Sequence, residues 1–217
     1  MRFVRRLLSI LTLSAAPVLG ALALGGGCAS NTTLVNMWRD PAYNDPPMHS
    51  MLVVAVRRDQ TLRRLLEDAF GRELEKRGVD ATPSYEHFAN APPDTAQIAD
   101  IVNQRGYDGA LIVYRLRTET STNYVPGYVT TEPVWRVSPW TGRYRTYWTD
   151  INHPGYVETD VTVRHEIELW DNREEGRLVW TGVGESVNPA SSSEVTHDVT
   201  HNVVPELEKQ GFIPKKR

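Results

Sequence analysis

The period of the hydrophobic positions changes several times along this chain, and each change marks an element. MLVVAV, Met51 to Val56, is an unbroken apolar run of the kind a central buried strand requires. From Leu62 the period becomes helical: Leu62, Leu65, Leu66, Ala69, Phe70 and Leu74 fall on one face. Asp59 is placed to cap this helix and Gly78 to close it. Arg63 with Glu67, and Glu73 with Arg77, stand four apart on the opposite side, where weak pairing in water is expected. VDATPSY then reads as a short strand with an exit at Pro83. A second helix follows, with Asp94 and Gln97 as a capping box, Ile98, Ile101 and Val102 facing inward, and Gly106 as its stop. DGALIVYRLRTET is apolar first and alternating afterwards, as a third strand would be. Strand, helix, strand, helix, strand favours parallel pairing through right-handed crossovers.

Beyond residue 119 the pattern shortens to period two. Val157, Thr159, Val161, Val163, His165, Ile167 and Leu169 share one face of a strand. DNREEG makes a charged turn, and RLVWTGVGESV returns as the antiparallel partner. The last element, SSSEVTHDVTHNVVPELEKQ, is helical, with Ser191 and Glu194 as a capping box and Gly211 as its end. Pro205 is expected to kink or split it. The fold class expected is therefore mixed α/β. A βαβαβ start leads into antiparallel strands or hairpins and a C-terminal helix, with helices mainly on one face of a single sheet.

The N-terminus follows different rules. MRFVRR is basic, and Leu7 to Leu24 carries no charge, which is the layout of a secretory signal. Pro17 and Gly20 interrupt the run and Ser9, Thr12 and Ser14 dilute it, so a retained membrane helix is the weaker reading. The chain has one cysteine, Cys28, so no disulfide can form within it. The stretch LALGGGCASN around that cysteine resembles the lipobox of bacterial lipoproteins. Gly25 stands where leucine is usual, and Leu24 is one place out of register. The resemblance implies acylation of Cys28 after removal of residues 1–27. With Ala29 following the cysteine, it also implies sorting to the outer membrane of a Gram-negative cell, facing the periplasm. The alternative is a soluble periplasmic protein. The implied partner is the membrane itself, through lipid on Cys28, since two or more acyl chains hold a protein on a bilayer without a spanning helix. Residues 28–50 then read as a lipidated N-terminus and tether, with Trp38 expected to be buried where WRDP meets the domain. Residues 51–213 read as one α/β domain with an aromatic-rich insertion at 123–156.

Loss of residues 1–27 leaves 21 basic against 27 acidic residues, net −6. Only the terminal KKR remains as a basic tract, which argues against a nucleic-acid partner. Element order resembles the small α/β domains of several envelope lipoproteins and the N-terminal domain of TolB. The WRDP start, LEDAF, LEKRG and the ELWD…GRLVWTG hairpin are similar to an uncharacterised family of Gram-negative envelope lipoproteins. That resemblance implies a fold and a compartment, not an activity.

Candidate chemistry is thin. His197 and His201 stand four apart, the spacing zinc uses in H-E-x-x-H, but Asp198 replaces the glutamate and no third ligand is identifiable. A metal-dependent hydrolase built on this pair is the alternative from another class, and two exposed histidines the plain reading. His165 reads as a core or edge histidine with a backbone partner. No catalytic set and no cofactor motif is present, so a non-enzymatic protein is expected. The informative stretch is 123–156, where Tyr124, Tyr128, Trp135, Trp140, Tyr144, Tyr147, Trp148 and Tyr156 are eight of 19 aromatics. Arg136, Arg143 and Arg145 add cations, and Tyr, Trp and Arg are the residues enriched at recognition hot spots. Two readings stay open: a surface for an envelope protein or cell-wall glycan, or a long hairpin covering the sheet edge. The functional expectation is a lipid-anchored interaction or assembly module, with a purely structural envelope lipoprotein as a further alternative.

Overall fold

The computed structural model describes residues 32–173 and 176–216. The expected signal sequence, Cys28 and the centre of the DNREEG turn lie outside them. Among the described residues, eight strands and three α-helices form a mixed α/β fold. They are β1 (Thr32–Arg39), β2 (Ser50–Val56), α1 (Gln60–Glu75), β3 (Asp80–Pro83), α2 (Thr95–Arg105), β4 (Gly109–Val125), β5 (Tyr128–Val137), β6 (Tyr144–His153), β7 (Tyr156–Asp171), β8 (Arg177–Val187) and α3 (Ser192–Lys209).

The main sheet has the order β1-β8-β7-β4-β2-β3. β2 pairs in parallel with both β3 and β4, as two crossover helices demand. β4 with β7, β7 with β8 and β8 with β1 are antiparallel. Asp59 caps α1 by accepting from the amides of Thr61 and Leu62. Asp94 and Gln97 close a full capping box on α2, and Gly106 ends it in the left-handed region at φ 69°. At α3 the Ser191 hydroxyl accepts from Glu194 N, but the Glu194 carboxylate reaches back to Ala190 N instead of to Ser191. α3 runs unbroken through Pro205, so the split expected there does not occur. Val195, Val199, Val203 and Leu207 on the same helix are buried and hold both sides of the proline to the sheet.

α1 and α3 cover one face of the sheet, over Val53, Leu111, Val113, Ile167, Leu169 and Trp180. α2 covers the other face, where Ile98 and Val102 meet Leu52, Val54, Ala110 and Ile112. Two of the three helices thus share one face, as expected, with α2 alone on the other, and the described residues form two sheets, not one. Part of the expected tether is strand: β1 is the edge of the main sheet, and Tyr43 and Met48 are buried in the core behind it. Trp38, expected inside, is 45 % exposed, because its side of β1 has no helix over it.

The largest departure lies on α1. Arg63 and Glu67 do not sit in water: both side chains are fully buried. The short 3₁₀ turn Ser84–Glu86 after β3 folds over that side of the helix. Glu67 accepts from Ala55 N, Arg63 Nε, Ser84 Oγ and Tyr85 N, and Arg63 donates to Phe88 O and Ser84 Oγ. Glu73 and Arg77 are buried too, and Arg77 also ties α1 to Glu208 of α3 at 2.6 Å.

Candidate functional site

β4 and β7 stay paired far past the body of the sheet, from Gly109 opposite Asp171 to Val125 opposite Tyr156. Two dipeptides then interrupt both strands at one level, Pro126–Gly127 and Pro154–Gly155. Proline cannot donate to the ladder. The glycines answer a close approach: a Cβ on Gly127 would lie 2.6 Å from both Gly155 N and His153 O. Beyond this joint the chain forms a second sheet of only β5 and β6, ten paired residues each, from Tyr128 opposite His153 to Val137 opposite Tyr144. At roughly 3.4 Å per residue this distal hairpin is about 30 Å long. The insertion is therefore an arm. It does not lie along an edge of the main sheet, so the sheet-cover reading fails for β5 and β6.

The register sorts the expected residues. Val129, Pro133, Trp135 and Val137 share one face with Tyr144 and Trp148; Tyr128, Val134, Tyr147 and Ile151 share the other. Arg136 stands opposite Arg145 on that second face. Trp140 and Arg143 belong to the tip, which is closed by bonds between Ser138 N and Arg143 O and between Gly142 N and Ser138 O. Tyr124 lies below the joint on β4. Tyr128 stacks on His153 with ring centroids 4.5 Å apart, and Thr131 donates to Asp150 at 2.7 Å. The large rings are otherwise open to solvent: Trp140 is 93 %, Tyr144 74 %, Trp148 70 % and Trp135 69 % exposed. Two-stranded hairpins are marginal alone in water, and this one carries exposed apolar side chains on both faces.

His197 and His201 lie exposed on α3, rings stacked 3.9 Å apart. Their Nδ1 atoms face Asp198 Oδ1 and His197 O respectively. The Glu73 carboxylate is 3.9 Å from His201 Nε2 but is already bound by Lys76 and Arg77. Among the described residues no group of three or more ligands could hold a metal ion.

His165 is buried, but its partner is not backbone. Arg57 Nη2 lies 2.9 Å from His165 Nε2. A guanidinium can only donate, so Nε2 accepts and the ring proton sits on Nδ1. Burial, then the charges of Arg57 and Arg115, pull the imidazole down to about 4. Periodicity placed this residue inward; its partner Arg57 comes from just beyond β2, far away in the chain, and left no local signal.

The sequence also left unmarked a cavity of about 740 Å³ beside α2. Its lining includes Ile98 and Val102 of α2, Ala110, Ile112 and Tyr114 of β4, and Glu168 and Trp170 of β7. It exists because α2 alone serves this face of a six-stranded sheet. Trp170 Nε1 donates to Glu168 at 2.9 Å, which lays the indole along β7. Burial, then the charges of Glu168 and Glu166, raise the Tyr114 hydroxyl, which also hydrogen-bonds to Glu168.

No family model matches the chain, and no curated protein matches it. Among solved structures, a PelC dodecamer from Paraburkholderia phytofirmans, a point variant, aligns at 13 % identity with a TM-score of 0.45. A second PelC dodecamer from the same organism aligns at 14 % and 0.43; each alignment covers 80 % of this chain and 96 % of the other. A PDZ domain protein from Parabacteroides distasonis aligns at 13 % and 0.37, over 87 % of this chain and 38 % of its own length. Likenesses at this level assign neither family nor activity to this chain.

Proposed function

We propose that this chain is a non-enzymatic, lipid-anchored protein of the Gram-negative outer membrane, facing the periplasm, whose β5–β6 arm is an interaction module for another envelope protein. It belongs, on this reading, with the uncharacterised envelope lipoproteins that its WRDP and GRLVWTG motifs resemble. One observation carries the functional part: a ten-residue, two-stranded arm that holds Trp135, Tyr144 and Trp148 on one face and Trp140 at its tip, all more than two-thirds exposed. Covering one such ring is worth about 1.5–3 kcal/mol. A partner that took three or four of them would gain enough to offset the entropy of docking. The anchor rests on the sequence around Cys28, and among the described residues no helix is long and apolar enough to cross a membrane.

Photo-crosslinking from positions 140 and 148 in cells tests the arm, and mass spectrometry of the mature N-terminus tests the anchor. A reproducible protein adduct, lost in Trp135→Ala/Trp148→Ala with no fall in Tm, is the expected outcome. Adducts to cell-wall glycan instead would reassign the partner. No adduct, together with a Tm lowered by the same substitutions, would leave only a structural arm. An unmodified Cys28 would refute the anchor without touching the arm.

A further inference from the structure

We infer that the cavity beside α2 is a binding site for a small amphipathic ammonium compound, an apolar or aromatic body carrying one amine or quaternary ammonium group. This inference is independent of the arm. Its volume, about 740 Å³, lies within the range of small-molecule sites, which are mostly apolar with a few placed polar groups. The wall and floor are apolar: Ile98, Val102, Ala110 and Ile112 are all buried. Such a surface takes the body of the ligand.

Of the three charged side chains that line the cavity, Asp171 and Arg173 pair with each other, and Glu168 is in no ion pair among the described residues. In the antiparallel register Tyr114 stands opposite Glu166, Ile112 opposite Glu168 and Ala110 opposite Trp170, so these six side chains share one face of the sheet. Glu168 lines the cavity and Glu166 stands just beyond its lining; both are half-buried, two residues apart on one strand, and neither is in a salt bridge among the described residues. Arg173 lines the cavity as well, but it is committed to Asp171 and the Tyr43 hydroxyl. Two like charges side by side and partly out of water weaken the sheet that carries them. A cation held against Glu168 inside the cavity would reduce that cost. Trp170 and Tyr114 add two aromatic rings beside the carboxylates, and an aromatic face next to an anion is the setting in which ammonium groups bind best. Anions are refused by the same charges. A neutral ligand would leave them uncompensated.

The test titrates the full chain with phenethylammonium and phenyltrimethylammonium, using 2-phenylethanol and 3-phenylpropionate as isosteric neutral and anionic controls. Calorimetry should give one saturable site for the two cations and at least tenfold weaker binding of both controls. Glu166→Gln/Glu168→Gln should weaken the cations about tenfold while its Tm stays level or rises, since it relieves a repulsion. Ala99→Trp, which fills the groove from the α2 wall, should abolish binding of all four compounds, and Trp148→Ala on the arm should change nothing. Equal binding of alcohol and cation would overturn the ammonium assignment. No cation binding, or binding that survives both cavity variants, would overturn the site.

Discussion

Replacing Arg63 with methionine is the sharpest test of how this fold is held together. Methionine fills much of the same space and removes the guanidinium. Three bonds disappear: Nε to Glu67 Oε1 at 3.0 Å, Nη1 to Phe88 O at 2.7 Å and Nη2 to Ser84 Oγ at 2.8 Å. Glu67 is left as a fully buried carboxylate whose counter-charge is gone. Breaking one partner of a buried ion pair costs about 3–5 kcal/mol. The Glu67 carboxylate would still accept from Ala55 N, Ser84 Oγ and Tyr85 N, which holds the cost near the lower end, about 3 kcal/mol. For a domain of this size each kcal/mol moves Tm by about 2–4 °C, so a fall of about 6–12 °C is expected. Urea and thermal unfolding of Arg63→Met, Glu67→Gln and the double variant would form a double-mutant cycle. The coupling expected is above 1.5 kcal/mol. A loss under 1 kcal/mol with coupling under 0.5 would match a solvent-exposed i,i+4 pair and refute the buried network.

Three further outcomes follow from the same structure. Burial pushes the Glu73 carboxyl up, but hydrogen bonds from Lys76 and Arg77 outweigh it and hold the group at about 2, below its ordinary 4.5. A depressed carboxyl stabilises the fold above 4.5 and loses that contribution as pH falls toward 2, so Glu73→Gln should flatten the acid limb of stability over that window. His165 is depressed from 6.5 to about 4, so the folded state resists its protonation, and stability should fall as pH drops from 6.5 to 4. NMR titration of the imidazole should place its midpoint near 4; a midpoint near 6.5 would mean that the ring is not enclosed with Arg57 and Arg115. Gly127→Ala forces a Cβ into backbone atoms 2.6 Å away. Amide exchange in residues 128–153 should then accelerate tenfold or more, while protection in β2 and α3 stays unchanged; uniform protection would refute the joint.

Capping and short-range periodicity were legible in the sequence because they are local. Asp59, Asp94 with Gln97, and Gly106 do their work within four residues of themselves, and the structure finds each in its expected place. The alternation of β7 and β8 is equally local, since it follows from one side facing a core. Charge is not legible in this local way. Arg63, Glu67, Glu73 and Arg77 have the spacing of a wet helix face, and nothing within α1 distinguishes a solvated pair from an enclosed one. The difference is made by Ser84, Tyr85 and Phe88, which fold over α1 from beyond β3, and by Glu208 of α3.

The aromatic segment shows the same division. Its sequence alternates as a strand does, and that part was determined by the chain alone. Whether such a strand lies on a sheet edge or stands free depends on what is opposite it. The two Pro–Gly pairs end the main ladder at one level because β4 and β7 stay paired to that point, with one extra residue of β4 taken up between Arg115 and Thr118, a fact of pairing between residues some thirty apart. The α2 cavity is more remote still from any one segment, being the space left where a single helix meets six strands. Local propensity, capping and side-chain period fixed the elements. Burial of charge, the projection of the arm and the enclosure of Glu168, Trp170 and Tyr114 were decided only by tertiary structure, because each is a property of what packs against an element and not of the element itself.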